Sequence, residues 1–385
     1  MIPLSEPNLS GKEKIFLDDC ILSGFVSSIG PYVDRFEKHV ADIAGGLYSV
    51  ATSSGTSGLY VSLKALGVER GDIVILPSYS FIGSANAISL LGALPWFMDI
   101  DKNTMCLDIN LLYSQLKKEC RFVNGKLIHK KSNSKISAIM PVHALGIPID
   151  IDSIINVSKS FNLPVVFDAA GAIGSTYKNK KIAENTNSIS VFSFNGNKTI
   201  TSGGGGAVVS NDLSLIKKIR KIVGTGRINN SYDHDTIGFN LTMTNIEAAV
   251  GCAQIESLDK FINAKKNILS EYNNSLKKIK GISFLPKIKW GESSCWMSGI
   301  FLDLKVYSDI AKISSFLKER NIDARPFWKP INKQLPYKDA LSTDCPVSED
   351  TAKRFLALPC ATNLNKNSQN FVISSLIDVL SKKNF

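Results

Sequence analysis

Lys198 is followed within a few residues by four consecutive glycines, Gly203–Gly206, in "SFNGNKTITSGGGG" (Ser193–Gly206). Such a run marks backbone that turns sharply or closely approaches another group. An amine beside it can clamp a phosphate, form a covalent imine, or carry an ordinary solvated charge. The P-loop order does not fit, because that motif puts its lysine after the glycines and then opens a helix. Here the lysine comes first, and the glycines lead into the strand-like "GAVVSND". No G-x-G-x-x-G opens a helix after a first strand, so the dinucleotide fingerprint fails too.

A covalent role finds more support. Pyridoxal phosphate chemistry needs a lysine to hold the aldehyde as an imine and an acid to keep the pyridine nitrogen protonated. It also needs backbone N–H groups at a helix start for the phosphate, and an aromatic face for the ring. "VVFDAAG" ends a strand-like run at Asp168, and Lys198 follows the next such run. "TSSGTSGLY" (Thr52–Tyr60) is a small-residue turn opening a helix, suited to receiving phosphate at Gly55 and Thr56. "PSYSFIGSANAI" puts Phe81 after another strand end. Singly, each has an ordinary explanation: Asp168 as a turn former, Phe81 as core packing, Ser-Gly-Thr as a helix cap, Lys198 as surface charge. Four such parts, in this order and each at a strand end, point to one site.

The elements that must position them alternate. "DIVILP", "PWFMDI", "ISAIMPV", "LPVVFD" and "ISVFSF" read as buried strands, with helices expected at Thr56–Leu66, Gly83–Leu91, Ile109–Lys117 and Asp150–Phe161. That alternation predicts a mainly parallel sheet covered by helices. From Thr244 the pattern becomes one long helical stretch through "NIEAAVGCAQIESLDKFINAKKNILSEYNNSLKKI", expected to connect two domains. Beyond it a small α/β domain is expected, with "CWMSGIFLDL" as a strand and "YSDIAKISSFLKER" as a helix. The division is a large domain at 1–245 and a connecting helix with small domain at 246–385. Lys117–Lys135 reads as a basic surface excursion, a candidate hairpin.

Composition bounds the function. The 385 residues are 44% hydrophobic and 21% charged, which suits a globular chain with a sizeable core. The N-terminus lacks a signal-peptide pattern and no apolar run reaches membrane-spanning length, so a cytoplasmic protein without membrane insertion is expected. Seven scattered cysteines without a CxxC pair fit reduced thiols. Four histidines without ligand spacing argue against a metal site. The net charge of +11 is spread along the chain, which favours solvated helix faces and an anionic small substrate over nucleic acid.

These motifs, together with "SGFVSSIGPYVDRFE", "PVHALGIPIDID", "FDAAGAIGSTY", "IGFNLTMTNIEAAVGCAQ" and "ARPFWKPINKQLP", resemble the DegT/StrS-type aminotransferases over nearly the whole chain. That resemblance implies the type I fold of pyridoxal phosphate enzymes: a large domain with a mainly parallel, seven-stranded-type sheet, plus a small C-terminal α/β domain. It implies that Lys198 forms the imine and shuttles a proton, and that Asp168 pairs with the pyridinium nitrogen. Phe81 would stack on the ring. Gly55, Thr56 and Ser193 would hold the phosphate, with Asn240 reaching it from the partner subunit of a homodimer with shared active sites. The implied substrates are L-glutamate as amino donor and a nucleotide-linked 4-keto-6-deoxy sugar. "SFNGNK" with "GGGG", and "ARPFW", resemble the branch acting on UDP-linked N-acetylhexosamines, with the GDP-linked counterpart as second choice.

Substrate contacts are expected at Ser28, at His143, for which a structural role competes, and at Arg325, which could meet a diphosphate bidentately or form a surface ion pair. Three positions depart from the family pattern. Gly171 stands where Gln or Glu is frequent, Thr242 where arginine is usual, and Gly204 where a glutamate is common. The alternatives are a pyridoxal phosphate-dependent nucleotide-sugar dehydratase, whose related branch carries histidine in place of Lys198, and a non-catalytic regulatory or binding relative.

Overall fold

The computed structural model describes residues 1–9, 11–184, 186–229, 231–307 and 309–381. Its centre is a sheet built from β1 (Tyr48–Thr52), β2 (Ile73–Pro77), β3 (Leu94–Met98), β4 (Ile136–Ile139), β5 (Val166–Asp168), β6 (Ile189–Ser193) and β7 (Gly206–Ser210). The lateral order is β1-β7-β6-β5-β4-β2-β3, with β4 and β5 joined through the parallel bridges Ile139–Val165 and Val142–Asp168. Only β7 runs against the rest, pairing antiparallel with β1 and β6.

The sheet is buried on both faces, which is why its strands read as nearly continuous apolar runs. Ile73 and Ile75 enter one core, and Val74 and Leu76 the other. The second core is closed by α3 (Gly55–Ala65), α4 (Gly83–Leu90) and α7 (Leu213–Val223). The first is closed partly by α1 (Lys12–Ser23), α2 (Pro31–Ala44) and α8 (Asn245–Ile255), with Phe36 meeting Phe194 edge-on at 5.0 Å. The expected helices at 109–117 and 150–161 are α5 (Ile109–Glu119) and α6 (Ile151–Phe161), each capped by the aspartate before it. The basic excursion is a hairpin, Cys120–Val123 against Lys126–His129. Asn124 and Gly125 both take the positive φ (51° and 74°) that a two-residue turn requires.

One expectation is corrected. The long helix after Thr244 is two helices, α8 and α9 (Leu258–Leu276), broken at Glu256–Ser257. Glu256 is held by ion pairs to Lys12 and Arg35, and Leu258 and Phe261 are buried in the core at the start of the second helix. Beyond it, β8 (Ile282–Phe284), β9 (Ser298–Leu302), β10 (Arg325–Pro326), β11 (Leu341–Ser342) and β12 (Phe355–Leu358) appear. Four form a second sheet in the order β8-β9-β12-β10, while β11 extends the central sheet beside β3. The helix expected at Tyr307–Arg320 is α10 (Ile310–Glu319), and Ser308 lies outside the described residues. The chain ends in α11 (Pro346–Arg354) and α12 (Lys366–Ser381). Among the described residues no helix is long and apolar enough to cross a membrane.

Candidate active site

The candidate residues gather at the carboxyl ends of the central strands, where α/β sheets place their sites. Asp168 closes β5, Ser193 closes β6, and Lys198 lies in the loop between β6 and β7. That loop is folded tightly on itself. The Lys198 N–H donates to the Asn195 carbonyl (2.9 Å), Ser202 N–H to Phe194 (2.9 Å), and Phe194 N–H to Gly205 (3.1 Å). The glycine run makes this possible: Gly203 and Gly205 sit at φ 84° and 85°, and a Cβ on Gly206 would lie 2.6 Å from the Gly55 nitrogen.

Helix α3 therefore starts directly against the lysine loop. Ser54 caps it, accepting from the Ser57 N–H at 3.0 Å. The N–H groups of Gly55 and Thr56 have no acceptor within the helix, as at any helix start, and so present a positive end to an anion. An ideal Cβ on Gly55 would lie 3.3 Å from Ser193 Oγ, and one on Gly83 would lie 3.1 Å from both Thr56 Oγ1 and a Phe81 ring carbon. Gly55, Thr56, Ser193 and Phe81 are thus one cluster, and the Phe81 ring is 60% exposed, open to a stacking partner.

Asp168 is buried. Its carboxylate accepts from Ser84 Oγ (2.6 Å) and from the Ala170 N–H (3.0 Å). Burial pushes its pKa up, against these two hydrogen bonds and the charge of Lys198. Lys198 is partly buried, and loss of water around its amine lowers the pKa to about 8, opposed by Asp168. A buried carboxylate, an amine partly neutral near physiological pH, and an anion cradle at a helix start fit pyridoxal phosphate in its nitrogen, aldehyde and phosphate respectively.

The remaining sequence candidates are His143, Arg325, Ser28 and Asn240. His143, for which a groove role and a structural role compete, lies beside Asp168, its N–H donating to the Asp168 carbonyl at 3.0 Å. It is 2% exposed, its ring stacks on Phe167 at 5.4 Å, and Nδ1 accepts from the Ile149 N–H at 3.1 Å. Arg325 is exposed with Nε 3.5 Å from Asp323, the surface ion-pair arrangement. Ser28 lies between α1 and α2, in a loop fastened by Asn245, whose N–H donates to Ser27 and whose side-chain amide donates to Phe25. Asn240 is exposed at the end of a surface segment that presents Tyr232 and Ile237 to solvent.

Two departures from the family pattern have a steric reason. A Cβ on Gly171 would stand 2.3 Å from Trp296 Cε3, so the indole already fills the space of a side chain there. A Cβ on Gly204 would stand 3.0 Å from Glu247 Oε1, so a carboxylate reaches this corner from α8 instead. The Thr242 hydroxyl donates to the Val223 carbonyl, and nothing among the described residues accounts for the loss of an arginine. Sequence reasoning missed Trp296, Ser84, Glu247 and Lys265. The Lys198 ammonium rests over the Trp296 ring, 3.6 Å from its centroid, while Lys265 is buried and donates to the carbonyls of Trp296 (3.0 Å) and Cys360 (2.6 Å). The available signal was Lys265 itself, a lysine in phase with Phe261, Ile268, Tyr272 and Leu276 on the buried face of α9.

Comparison with known proteins agrees with this geometry. Residues 8–377 match the DegT/DnrJ/EryC1/StrS aminotransferase family. The chain is 36% identical to a GDP-perosamine synthase of Vibrio cholerae (93% of this chain, 94% of that one) and 34% identical to one of Escherichia coli O157:H7 (99% of each). Among solved structures, Helicobacter pylori PseC, an aminotransferase involved in pseudoaminic acid biosynthesis, superposes with TM-score 0.88 at 24% identity, covering 98% of this chain and 99% of that one. S. venezuelae DesV does so with TM-score 0.86 at 25% identity, covering 97% and 95%. The chain belongs to the DegT/DnrJ/EryC1/StrS aminotransferase family and is a pyridoxal phosphate-dependent sugar aminotransferase of the type I fold.

Proposed function

We propose that the protein moves an amino group from L-glutamate to the 4-keto carbon of a nucleotide-linked 4-keto-6-deoxy sugar. The observation that carries this reading is the convergence of Lys198, Asp168 and the Gly55–Thr56–Ser193 cradle at adjacent strand ends. When bound, pyridoxal phosphate supplies the electron sink for breaking the bond to the migrating proton. Lys198 Nζ holds the cofactor aldehyde and, once released, carries that proton. The Asp168 carboxylate keeps the ring nitrogen protonated, with Ser84 orienting it. The N–H groups of Gly55 and Thr56 and the Ser193 hydroxyl bind the phosphate, and Phe81 covers one ring face.

The division into a cofactor domain at 1–245 and a smaller domain at 246–385 belongs to this reading, as does a cytoplasmic location. So does a homodimer in which Asn240 completes the neighbour's phosphate site. Ile21, Leu22, Ile29, Tyr232 and Ile237 are apolar side chains each more than 60% exposed, as a chain covered by a second copy would carry. Arg325 and Ser28 are proposed to meet the diphosphate and sugar of the acceptor. The names of the two GDP-perosamine synthases favour a GDP-linked acceptor over the UDP-linked N-acetylhexosamine expected from the motifs.

A mass-spectrometric panel tests the acceptor. The purified enzyme with glutamate should give a new 4-amino sugar nucleotide from a GDP-linked 4-keto-6-deoxy hexose. Preference for the UDP-linked acceptor would restore the motif-based expectation. Activity confined to free sugars or 2-oxo acids would overturn the proposal, and loss of water from the sugar without amination would favour a dehydratase.

A further inference from the structure

We propose that Trp296 is a positioning residue whose indole face holds the Lys198 amine in reach of the cofactor whenever the two are not bonded. This rests on the assignment of Lys198 as the covalent lysine. Such a lysine must leave the cofactor carbon, carry one proton, and return, so its free amine needs a fixed waiting place. The hydrogen bonds of the described residues include none from Lys198 Nζ. The Trp296 ring faces the amine, its centroid 3.6 Å away. An aromatic face attracts an ammonium and, unlike a carboxylate, does not hold it in a directional bond that would resist its return.

The ring is anchored as such a platform requires. It is 4% exposed, and Nε1 donates to the carbonyl of Asn197, the residue before Lys198, at 2.8 Å. Its own carbonyl accepts from Lys265, a buried lysine on α9 that also ties down Cys360. Its six-membered edge lies against Gly171, where any side chain would displace it. Cys295, immediately before it, takes φ 54°, a conformation uncommon for a residue with a Cβ, which turns the chain into the site. Ordinary core packing would explain the burial, but not an ammonium over the ring and an indole N–H bound to the lysine's own loop.

Pairing with the ring favours the charged amine against the burial that pushes its pKa to about 8. Losing the face should therefore lower the amine's proton affinity about tenfold, a shift of about one pH unit. The test uses the full chain stripped of cofactor, its lysines reductively methylated with 13C-formaldehyde and titrated by NMR, with Lys198→Arg assigning the resonance. Trp296→Leu should lower the Lys198 midpoint by about one pH unit, and Trp296→Phe should hold it near wild type. If Trp296→Leu does not fold, Trp296→Met fills more of the space and carries the same expectation. An unchanged midpoint, or equal shifts in the aromatic and aliphatic variants, overturns the proposal. Borohydride reduction of the loaded wild type separates the two claims. A label on another lysine removes the Lys198 assignment, whereas a label on Lys198 with an unmoved midpoint removes only the role of Trp296.

Discussion

Gly171→Ala is the smallest substitution that sets the packing of Trp296 against the family pattern. The φ of Gly171 lies outside the left-handed range that side chains rarely adopt, so backbone strain of that kind plays no part and the effect is steric. The added methyl would lie 2.3 Å from Cε3 and 2.8 Å from Cδ2 of the indole. Carbon atoms prefer about 3.5–4.0 Å, so the ring must retreat by about 1 Å or more. It cannot do so freely, because Nε1 is bonded to Asn197 and the backbone to Lys265. Overpacking costs about 1–3 kcal/mol and a compromised hydrogen bond about 1 kcal/mol, so about 2–4 kcal/mol in all. At roughly 2 cal/mol/K per residue, that lowers Tm by about 3–5 °C for cooperative unfolding of this chain. The assay is a double-mutant cycle on the cofactor-free protein by calorimetry. Trp296→Leu alone should also destabilise, and the double variant should recover about 1–3 kcal/mol relative to the sum of the singles. A Gly171→Ala protein that melts with the wild type, or strict additivity in the double variant, would refute the claim that the indole occupies the space of residue 171.

Three further outcomes follow from the site. At pH 7 a lysine titrating at about 8 is about 9% neutral, against about 0.03% for an ordinary one. Imine formation between cofactor-free protein and pyridoxal phosphate, followed by absorbance, should therefore rise with pH and level off just above 8; a rise continuing to pH 10 contradicts the lowered value. The same shift means the folded state binds fewer protons than the unfolded state between about pH 8 and 10.5, so stability of the cofactor-free protein should rise across that window, and Lys198→Met should abolish the rise. Asp168→Asn should cut turnover by about 10²–10³-fold in a folded protein, and Ser84→Ala by about tenfold; wild-type rates in either remove the role assigned. Mixing Lys198→Ala with a protein altered at Asn240 should restore activity through heterodimers with one intact shared site, and no recovery despite measured subunit exchange counts against sharing.

The central sheet was legible because both its faces are buried, which turns each strand into an apolar run ended by a small or polar residue. Asp168 and Lys198 could be placed from that punctuation, since strand ends fix where a side chain emerges, whereas Ser193 entered through the family resemblance. Gly55 and Thr56 were legible as a helix start. The features that escaped are contacts between distant parts of the chain. Nothing local in "SSCWMSGIFL" says that Trp296, just before the strand, lies against the Lys198 amine, and Gly171 reads as a loss until the indole occupying its place is seen. The direction of the His143 ring was not legible because a strand end gives the position of the backbone and not that of a side chain, which here turns onto Phe167. The break between α8 and α9 escaped because apolar spacing continues across it, while the ion pairs that hold Glu256 at the break are with distant residues.

The most direct test of the site is covalent. Protein loaded with pyridoxal phosphate should be reduced with borohydride, digested, and the modified peptide identified by mass spectrometry. The label is expected on Lys198 alone, with prior addition of glutamate preventing it by moving the cofactor to its amine form. A label on any other lysine, or labelling unaffected by glutamate, would contradict the site described.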